Sequence, residues 1–203
     1  MSAHDPIAAV VLAAGTSSRM GHNKMLLELG GEPLVRRAVR AAIAARLDPV
    51  IVVLGHEADR VEAALEGLPC VRVLNPSFGD GVRTSLQAGV ARAIESPASA
   101  LVVVLADMPF VTPQMIETVV ARHRDTGAPL VVSCYGGDVD APPMLYQRAL
   151  FPELLAMQAP GCGKQVVRRH RAEAAVVPWP AQALRDVDVP ADYDEVRAQI
   201  PGG

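Results

Sequence analysis

The segment from Leu12 to Lys24 follows an apolar run and combines small residues with two cationic side chains. It reads LAAGTSSRMGHNK, and the two cations are Arg19 and Lys24. Small residues let backbone N–H groups approach an anion closely, and the cations add positive charge. The segment therefore predicts a cradle for phosphate groups, although a plain strand-to-helix loop has a similar composition.

The spacing within this segment excludes two widespread nucleotide-binding loops. The dinucleotide fingerprint needs three glycines in the pattern G-x-G-x-x-G, and only Gly15 and Gly21 occur here. A Walker A loop needs Gly-Lys followed by Ser or Thr, whereas Gly21 is followed by His22, Asn23 and Lys24. The predicted phosphate cradle belongs to neither class.

Two carboxylates stand where a metal ion could join the phosphates. Asp107 comes just after the apolar run 101–105, and Asp188 lies just before a predicted helix. Ligands of open α/β sheets bind outside the carboxyl ends of the strands, and Mg²⁺ takes one or two carboxylates together with water and phosphate oxygens. We predict that Asp107 holds Mg²⁺, with Asp188 as the second carboxylate if the chain returns to that edge. Each could instead cap a helix or turn.

A serine near the start of a predicted helix is a further candidate. Ser85 lies in the segment 75–86, which follows the third apolar run. Its hydroxyl could face the base or sugar of a nucleotide, or it could bond within its own helix. Two other polar groups, the acidic pair Asp138 and Asp140 and the basic run 164–171, are interpreted as solvated surface.

The elements that must position these residues alternate between short apolar runs and amphipathic stretches. Near-continuous aliphatic runs are typical of parallel strands that are covered on both faces. We predict strands at 7–12, 50–54, 71–74, 101–105, 130–133 and 175–177. We predict helices at 33–45, 57–66, 82–95, 113–125, 149–157, 164–173 and 191–199. This alternation predicts an α/β fold with a mostly parallel sheet.

The composition excludes several other classes of protein. The chain has 203 residues, 20% of them charged, and a formal net charge of -3, which argues against disorder and against a general nucleic-acid binder. No apolar stretch approaches the roughly 20 residues of a membrane span, and the start does not resemble a secretory signal. Three widely separated cysteines predict neither a disulfide framework nor a zinc site. We expect one cytoplasmic domain over 1–203, with no nucleic-acid or membrane partner.

Four segments, taken in order, resemble the MobA-like nucleotidyltransferase family. They are LAAGTSSRMGHNK, NPSFGDGVRTSLQAG, LADMPFVTP and DVDVPADY, and the similarity runs from about Ile7 to Tyr193. Within the family they look most like the molybdenum cofactor cytidylyltransferases. The resemblance implies a three-layer, Rossmann-like nucleotidyltransferase fold with a mostly parallel sheet and helices on both faces. About 1–110 would form the nucleotide half, and about 111–203 the acceptor half.

The resemblance also implies a reaction and roles for single residues. The family moves an NMP group from an NTP, with Mg²⁺, onto a phosphate-bearing acceptor and releases pyrophosphate. Matched by position, Leu12, Ala13, Ala14 and Gly15 would lie along the nucleotide, Arg19 and Lys24 would hold the triphosphate, Ser85 would face the base, and Asp107 and Asp188 would bind Mg²⁺. Arg19, Lys24 and Asp107 would carry the catalysis. Cytidylyl enzymes resemble this chain in having Ala-Ala before Gly15, which implies CTP as the donor.

The second half departs from the family's pattern in two stretches. An Arg-Gly-His-Pro-like stretch is replaced from Asp140 to Pro143, and a Gly-Asp-x-Gly-Ala-Arg-like turn is replaced from Pro160 to Gln165. Both lie in the half that is expected to meet the acceptor. The resemblance implies molybdopterin as acceptor and a molybdoenzyme as receiver of the product. GTP as donor, a sugar or alditol phosphate as acceptor, and a non-catalytic nucleotide-binding regulator remain open alternatives.

Overall fold

The first strand, β1 (Ile7–Ala13), shows how this sequence builds a sheet with two covered faces. All seven of its residues are buried. Its odd-numbered side chains lie in one hydrophobic core and its even-numbered side chains in another. Successive side chains of a strand point to opposite faces, so an unbroken apolar run fills both cores. The computed structural model, which describes residues 5–17, 20–159 and 161–199, confirms the predicted α/β fold.

The other strands form the rest of a mixed, mostly parallel sheet and one small separate hairpin. They are β2 (Glu28–Leu29), β3 (Glu32–Pro33), β4 (Val50–Leu54), β5 (Val71–Leu74), β6 (Ala100–Leu105), β7 (Leu130–Tyr135), β8 (Val139–Asp140), β9 (Met144–Gln147) and β10 (Ala175–Trp179). Within the described ranges, the main sheet has eight strands in the order β10-β7-β9-β6-β1-β4-β5, with β8 beside β7. β9 runs antiparallel to both of its neighbours. β2 and β3 form a separate antiparallel hairpin.

Helices cover both faces of this sheet. They are α1 (Leu34–Ala44), α2 (Ala58–Ala64), α3 (Val82–Ile94), α4 (Pro113–Thr126), α5 (Phe151–Leu155), α6 (Lys164–Arg169) and α7 (Pro190–Gln199). α1, α2 and α4 pack on one face, and α3, α5 and α6 on the other. α7 packs with the β2–β3 hairpin in a smaller third cluster. None of the helices in the described part of the chain is long and apolar enough to cross a membrane.

The strand order brings four loops to one edge of the sheet. β6, β1, β4 and β5 are parallel neighbours, so their carboxyl ends lie side by side. Leu12 near the end of β1 pairs with Val53 on one side and Leu105 on the other. The loops that follow these strands therefore meet at this edge, where an open α/β sheet binds its ligands.

Several local features differ from the sequence-based predictions, among them the helices predicted at 57–66 and 149–157, which are shorter at both ends. The helix predicted over 164–173 was wrong at its end, because α6 ends at Arg169. Arg169 and His170 both bind the Glu153 carboxylate, at 2.7 and 2.9 Å. Adjacent residues of a helix do not face the same partner, so the chain leaves the helix where both side chains reach Glu153. The β2–β3 hairpin was not predicted, because each strand has only two residues.

Candidate active site

A cleft of about 330 Å³ lies at the carboxyl edge of the sheet, between the loops that follow β1, β5 and β6. Seven of the residues predicted from sequence line it: Leu12, Ala14, Gly15, Lys24, Ser85, Asp107 and Asp188. Ala13 is buried in the core on the opposite face of the sheet. Arg19 lies outside the described residues.

The side chain of Lys24 joins the two predicted metal carboxylates. Its Nζ lies 2.6 Å from Oδ2 of Asp107 and 2.8 Å from Oδ1 of Asp188. Lys24 is only 8% exposed. The structure thus brings together three candidates that are up to 164 residues apart in the sequence.

The electrostatic balance favours a charged ammonium at this position. Burial alone would lower the pKa of Lys24, because it penalises the charged form. The charge and the hydrogen bond of Asp107, together with those of Asp188, outweigh burial and raise the pKa above its ordinary value. Lys24 therefore carries its positive charge at neutral pH.

Asn23, which the sequence analysis did not single out, fixes the backbone beside Lys24. Its side chain is 2% exposed and caps a short 3-10 helix, Lys24–Leu26, by accepting a hydrogen bond from the Met25 N–H at 3.1 Å. Its amide nitrogen donates to the carbonyl of His56, at 3.0 Å. The Lys24 N–H donates to Oγ of Ser17, at 3.0 Å. Asn23 thus ties the phosphate-cradle loop to the loop after β4; an Asn at a helix start was the available sequence signal.

Asp188 reaches the cleft because the chain returns from β10 to the end of β6. The Val187 N–H donates to the Asp107 carbonyl at 3.0 Å, and the Val187 side chain is fully buried. The Asp192 carboxylate accepts from the N–H groups of Asp188 and Val189, at 2.9 and 2.8 Å. Asp192 therefore caps this turn, which leaves the Asp188 side chain directed at Lys24. Burial and the nearby charge of Asp188 raise the pKa of Asp186, a third carboxyl group in this segment.

Ser85, near the start of α3, also lines the cleft and is 4% exposed. Its Oγ accepts a hydrogen bond from Nδ2 of Asn75, at 3.0 Å, and the same nitrogen donates to Thr84 at 2.9 Å. The Asn75 side chain also accepts from the Ser77 N–H, at 3.0 Å. Asn75, which was not singled out either, thus holds the end of β5 against the first turn of α3.

Gly55 allows the loops after β1, β4 and β5 to touch. A Cβ atom at this position would lie 2.7 Å from Cβ of Phe78 and 2.8 Å from both Cβ and the carbonyl oxygen of Ala14. Real Cβ atoms do not approach other atoms this closely. Only glycine therefore lets Ala14 and Phe78 both line the cleft in their present positions.

The sequence also matches the model of a known protein family. A model of the MobA-like NTP transferase domain matches residues 9–175. The chain belongs to this family of nucleotidyltransferases. The match includes Lys24, Ser85 and Asp107, whereas Asp188 follows it, so the place of Asp188 in the site depends on the geometry described above.

Known proteins related to this MobA-like chain cover different shares of it. The purine catabolism protein PucB of Bacillus subtilis is 29% identical over 202 residues, which span 93% of this chain and 94% of PucB. The bifunctional protein GlmU of Anaeromyxobacter dehalogenans is 34% identical over 123 residues, which span 59% of this chain and only 25% of GlmU. GlmU is therefore a longer protein, of which only about a quarter matches this chain.

Solved structures extend the likeness over nearly the whole MobA-like fold. The crystal structure of Rv0371c from Mycobacterium tuberculosis is 26% identical and covers 96% of this chain and 98% of its own, with a TM-score of 0.84. A second structure of Rv0371c, in complex with manganese, is 25% identical with a TM-score of 0.80 and covers 96% of this chain and 100% of its own.

The two carboxylates of this MobA-like site can share one cation. The Lys24 ammonium is such a cation, because it contacts both Asp107 and Asp188. Among the described residues there is no group of three or more His, Cys, Asp or Glu side chains that could enclose a metal ion. A pair of carboxylates fits Mg²⁺ or Mn²⁺, which leave their other positions to water and phosphate oxygens.

The loop before α6 lies close enough to this carboxylate pair for Asp107 to influence Cys162. Burial raises the pKa of the Cys162 thiol to about 12, and the charge of Asp107 adds to this rise. The turn around 140–143 is held to the sheet by Ser133 and Tyr135, whose hydroxyls donate to the carbonyls of Pro143 and Pro142 at 2.6 and 2.7 Å. Pro160, in the second stretch that departs from the family's pattern, lies outside the described residues.

Proposed function

We propose that this chain is a divalent-metal-dependent nucleotidyltransferase that transfers CMP from CTP to the phosphate group of molybdopterin and releases pyrophosphate. The observation that carries the proposal is the Lys24 ammonium between the carboxylates of Asp107 and Asp188. This arrangement places a cation that could bind the triphosphate and two carboxylates that could bind a metal ion beside one cleft.

In this reaction a phosphate oxygen of the acceptor attacks the α-phosphorus of CTP. The bond from that phosphorus to the bridging oxygen of the departing pyrophosphate breaks. Lys24 and Arg19 stabilise the negative charge that gathers on pyrophosphate. No side chain has to accept a proton, because the acceptor phosphate is already ionised. This agrees with the described lining of the cleft, which contains no histidine or cysteine.

Asp107 and Asp188 are the residues that would hold the divalent cation, Mg²⁺ in this proposal. When bound there, the cation supplies charge neutralisation at the phosphates and orients the leaving group. The shared ammonium supports this assignment, since both carboxylates already bind one cation at hydrogen-bond distance. The manganese complex of the relative Rv0371c lends further support.

CTP as donor is supported by the small residues of the cradle. Ala14 lines the cleft, and its methyl group occupies space that a glycine would leave open. A pyrimidine base needs less room than a purine. Ser85, positioned by Asn75, offers a hydroxyl in the cleft for the polar edge of the base. Leu12 and Gly15 border the same cleft.

The proposal is tested by pyrophosphate release from purified protein with Mg²⁺ or Mn²⁺. CTP, GTP, ATP and UTP are each offered with molybdopterin, sugar phosphates and alditol phosphates. We expect turnover of CTP with molybdopterin, and activity about 10²–10³-fold lower for Asp107→Asn. Exclusive turnover of a sugar phosphate would contradict the acceptor, a preference for GTP would contradict the donor, and NTP binding without any turnover would contradict catalysis.

A further inference from the structure

One side chain already fills the position at which the proposed metal would bind. Within the proposed function, on which this inference rests, we infer that Lys24 is the resident counter-ion of the Asp107–Asp188 pair. A divalent cation occupies the pair only when the triphosphate draws the ammonium away. Lys24 would thus decide when the metal binds, in addition to holding the triphosphate.

The distances make the two cations mutually exclusive. Lys24 Nζ lies 2.6 and 2.8 Å from the two carboxylate oxygens that face it. A Mg²⁺ ion would sit about 2.1 Å from its ligand oxygens. An ion bridging the same two oxygens would therefore overlap with the ammonium. The ammonium has to leave before the metal can bridge these two oxygens.

Because the backbone of Lys24 is held by hydrogen bonds, the exchange of ammonium for metal requires a movement of the Lys24 side chain. The Lys24 N–H is bonded to Ser17, and Asn23 caps the 3-10 helix that begins with Lys24. Lys24 is 8% exposed, so its ammonium has little access to bulk water. Gly15, Thr16 and Ser17 line the same cleft. A phosphate group bound by this loop is therefore the nearest alternative partner for the ammonium.

A charge count explains why the metal and the triphosphate should bind together. Two carboxylates and one ammonium carry a net charge of about -1. A divalent cation added to this trio would leave an uncompensated positive charge in a buried position, which is costly. The triphosphate brings several negative charges and removes that cost. Metal and nucleotide should therefore strengthen each other's binding by the same factor.

The first test measures Mn²⁺ binding to nucleotide-free protein by the EPR signal of free Mn²⁺. Lys24→Met removes the charge and keeps most of the side-chain volume. We expect it to bind Mn²⁺ at least about tenfold more tightly than the wild type, because the resident cation no longer competes. Lys164→Met, which removes the same charge from an exposed residue, is the matched control and should not change Mn²⁺ affinity.

The double variant Lys24→Met/Asp107→Asn locates the effect. It should lose the tighter Mn²⁺ binding of Lys24→Met, because one of the two carboxylates is missing. Equal Mn²⁺ affinity for wild type and Lys24→Met would overturn the counter-ion role. If that result came with CMP transfer by the wild type, the proposed function would still stand. A gain in affinity without turnover of any NTP would support the counter-ion role and count against the transferase.

A second measurement uses the wild type alone and does not depend on the folding of a variant. The chain has two lysines, Lys24 and Lys164, so lysine labelled with ¹⁵N at Nζ gives two ammonium signals to follow by NMR. Mg²⁺ alone should leave the Lys24 signal unchanged, whereas Mg²⁺ with CTP should shift it. A shift of the Lys24 signal that needs no nucleotide would contradict the exchange.

Discussion

Buried polar side chains differ between the two halves of the molecule. Among the described residues, those that are buried are Asn23, Lys24, Asn75, Ser85, His123 and Ser133. The four in the first half lie in the cleft or directly behind it. The two in the second half bond within the fold: His123 Nδ1 contacts the Ala128 carbonyl at 2.8 Å, and Ser133 accepts from the Trp179 ring at 2.9 Å.

The buried polar side chains have different roles in the two halves. A buried polar group costs free energy unless it is hydrogen-bonded, so each buried one needs a reason to be there. In the first half the reason is a cluster of charged and hydrogen-bonding groups beside a cleft. In the second half it is the fixing of backbone turns.

The largest effect is expected from Asp107→Asn. The change removes half of the carboxylate pair, and we expect proposed transferase activity to fall by about 10²–10³-fold. The side chain is 21% exposed at a sheet edge, so the thermal midpoint should change little. Activity with saturating CTP and Mg²⁺, measured beside thermal unfolding, checks both statements.

Asp138→Asn is the matched control for this prediction. It removes the same charge from the turn between β7 and β8 and should keep full activity. If both variants lost activity equally, net charge would explain the loss better than the pair. If neither did, the assignment of the pair would be wrong.

The next effect concerns Asn23, which acts on Lys24 through the backbone. Asn23→Ala removes the cap and the bond to His56, so we expect kcat/KM to fall by about 10- to 100-fold. The lost cap should also cost about 1 kcal/mol of stability. Asn23→Ser restores a capping oxygen and should recover part of the stability. A purely structural role would lower the urea midpoint of Asn23→Ala and leave its kcat/KM unchanged.

Much of the site could be predicted from local sequence. The long-range contacts that bring its residues together could not. The apolar runs define β1 and β6, and the residues after them, including Gly15 and Asp107, follow from strand polarity. The contact between Lys24 and Asp188 joins residues 164 positions apart, and the bond from Asn23 to His56 spans 33. Such contacts leave no periodicity in the sequence. They depend on how the segment before α7 returns to the sheet.

A pair of serine variants sharpens the contrast between the halves. Ser85→Ala and Ser133→Ala each delete one buried hydroxyl. Ser133→Ala leaves the Pro143 carbonyl and the Trp179 N–H without this partner, so we expect a loss of about 1–3 kcal/mol of stability and unchanged KM for CTP. Ser85→Ala should raise KM for CTP by about 2- to 10-fold. Urea unfolding and initial rates, measured on both variants, test this expectation. A raised KM for Ser133→Ala together with a stability loss for Ser85→Ala would contradict the difference between the halves.

The smallest effect is expected from Glu153, which links α5 to the end of α6. The hydrogen bond from His170 is the largest cause that lowers the pKa of this carboxyl group below its ordinary value; burial opposes it, and the hydrogen bond from Arg169 lowers the pKa further. A lowered pKa means that the folded state favours the ionised form. The stabilisation is therefore complete above the ordinary pKa near 4.5 and is lost as the pH falls through the lowered value. Glu153→Gln should cost less than about 1 kcal/mol at neutral pH, because Glu153 and Arg169 are partly exposed. The urea midpoints of wild type and Glu153→Gln should converge as the pH drops below 4.5. A difference between the midpoints that persists in acid would show that Glu153 contributes by packing instead of charge.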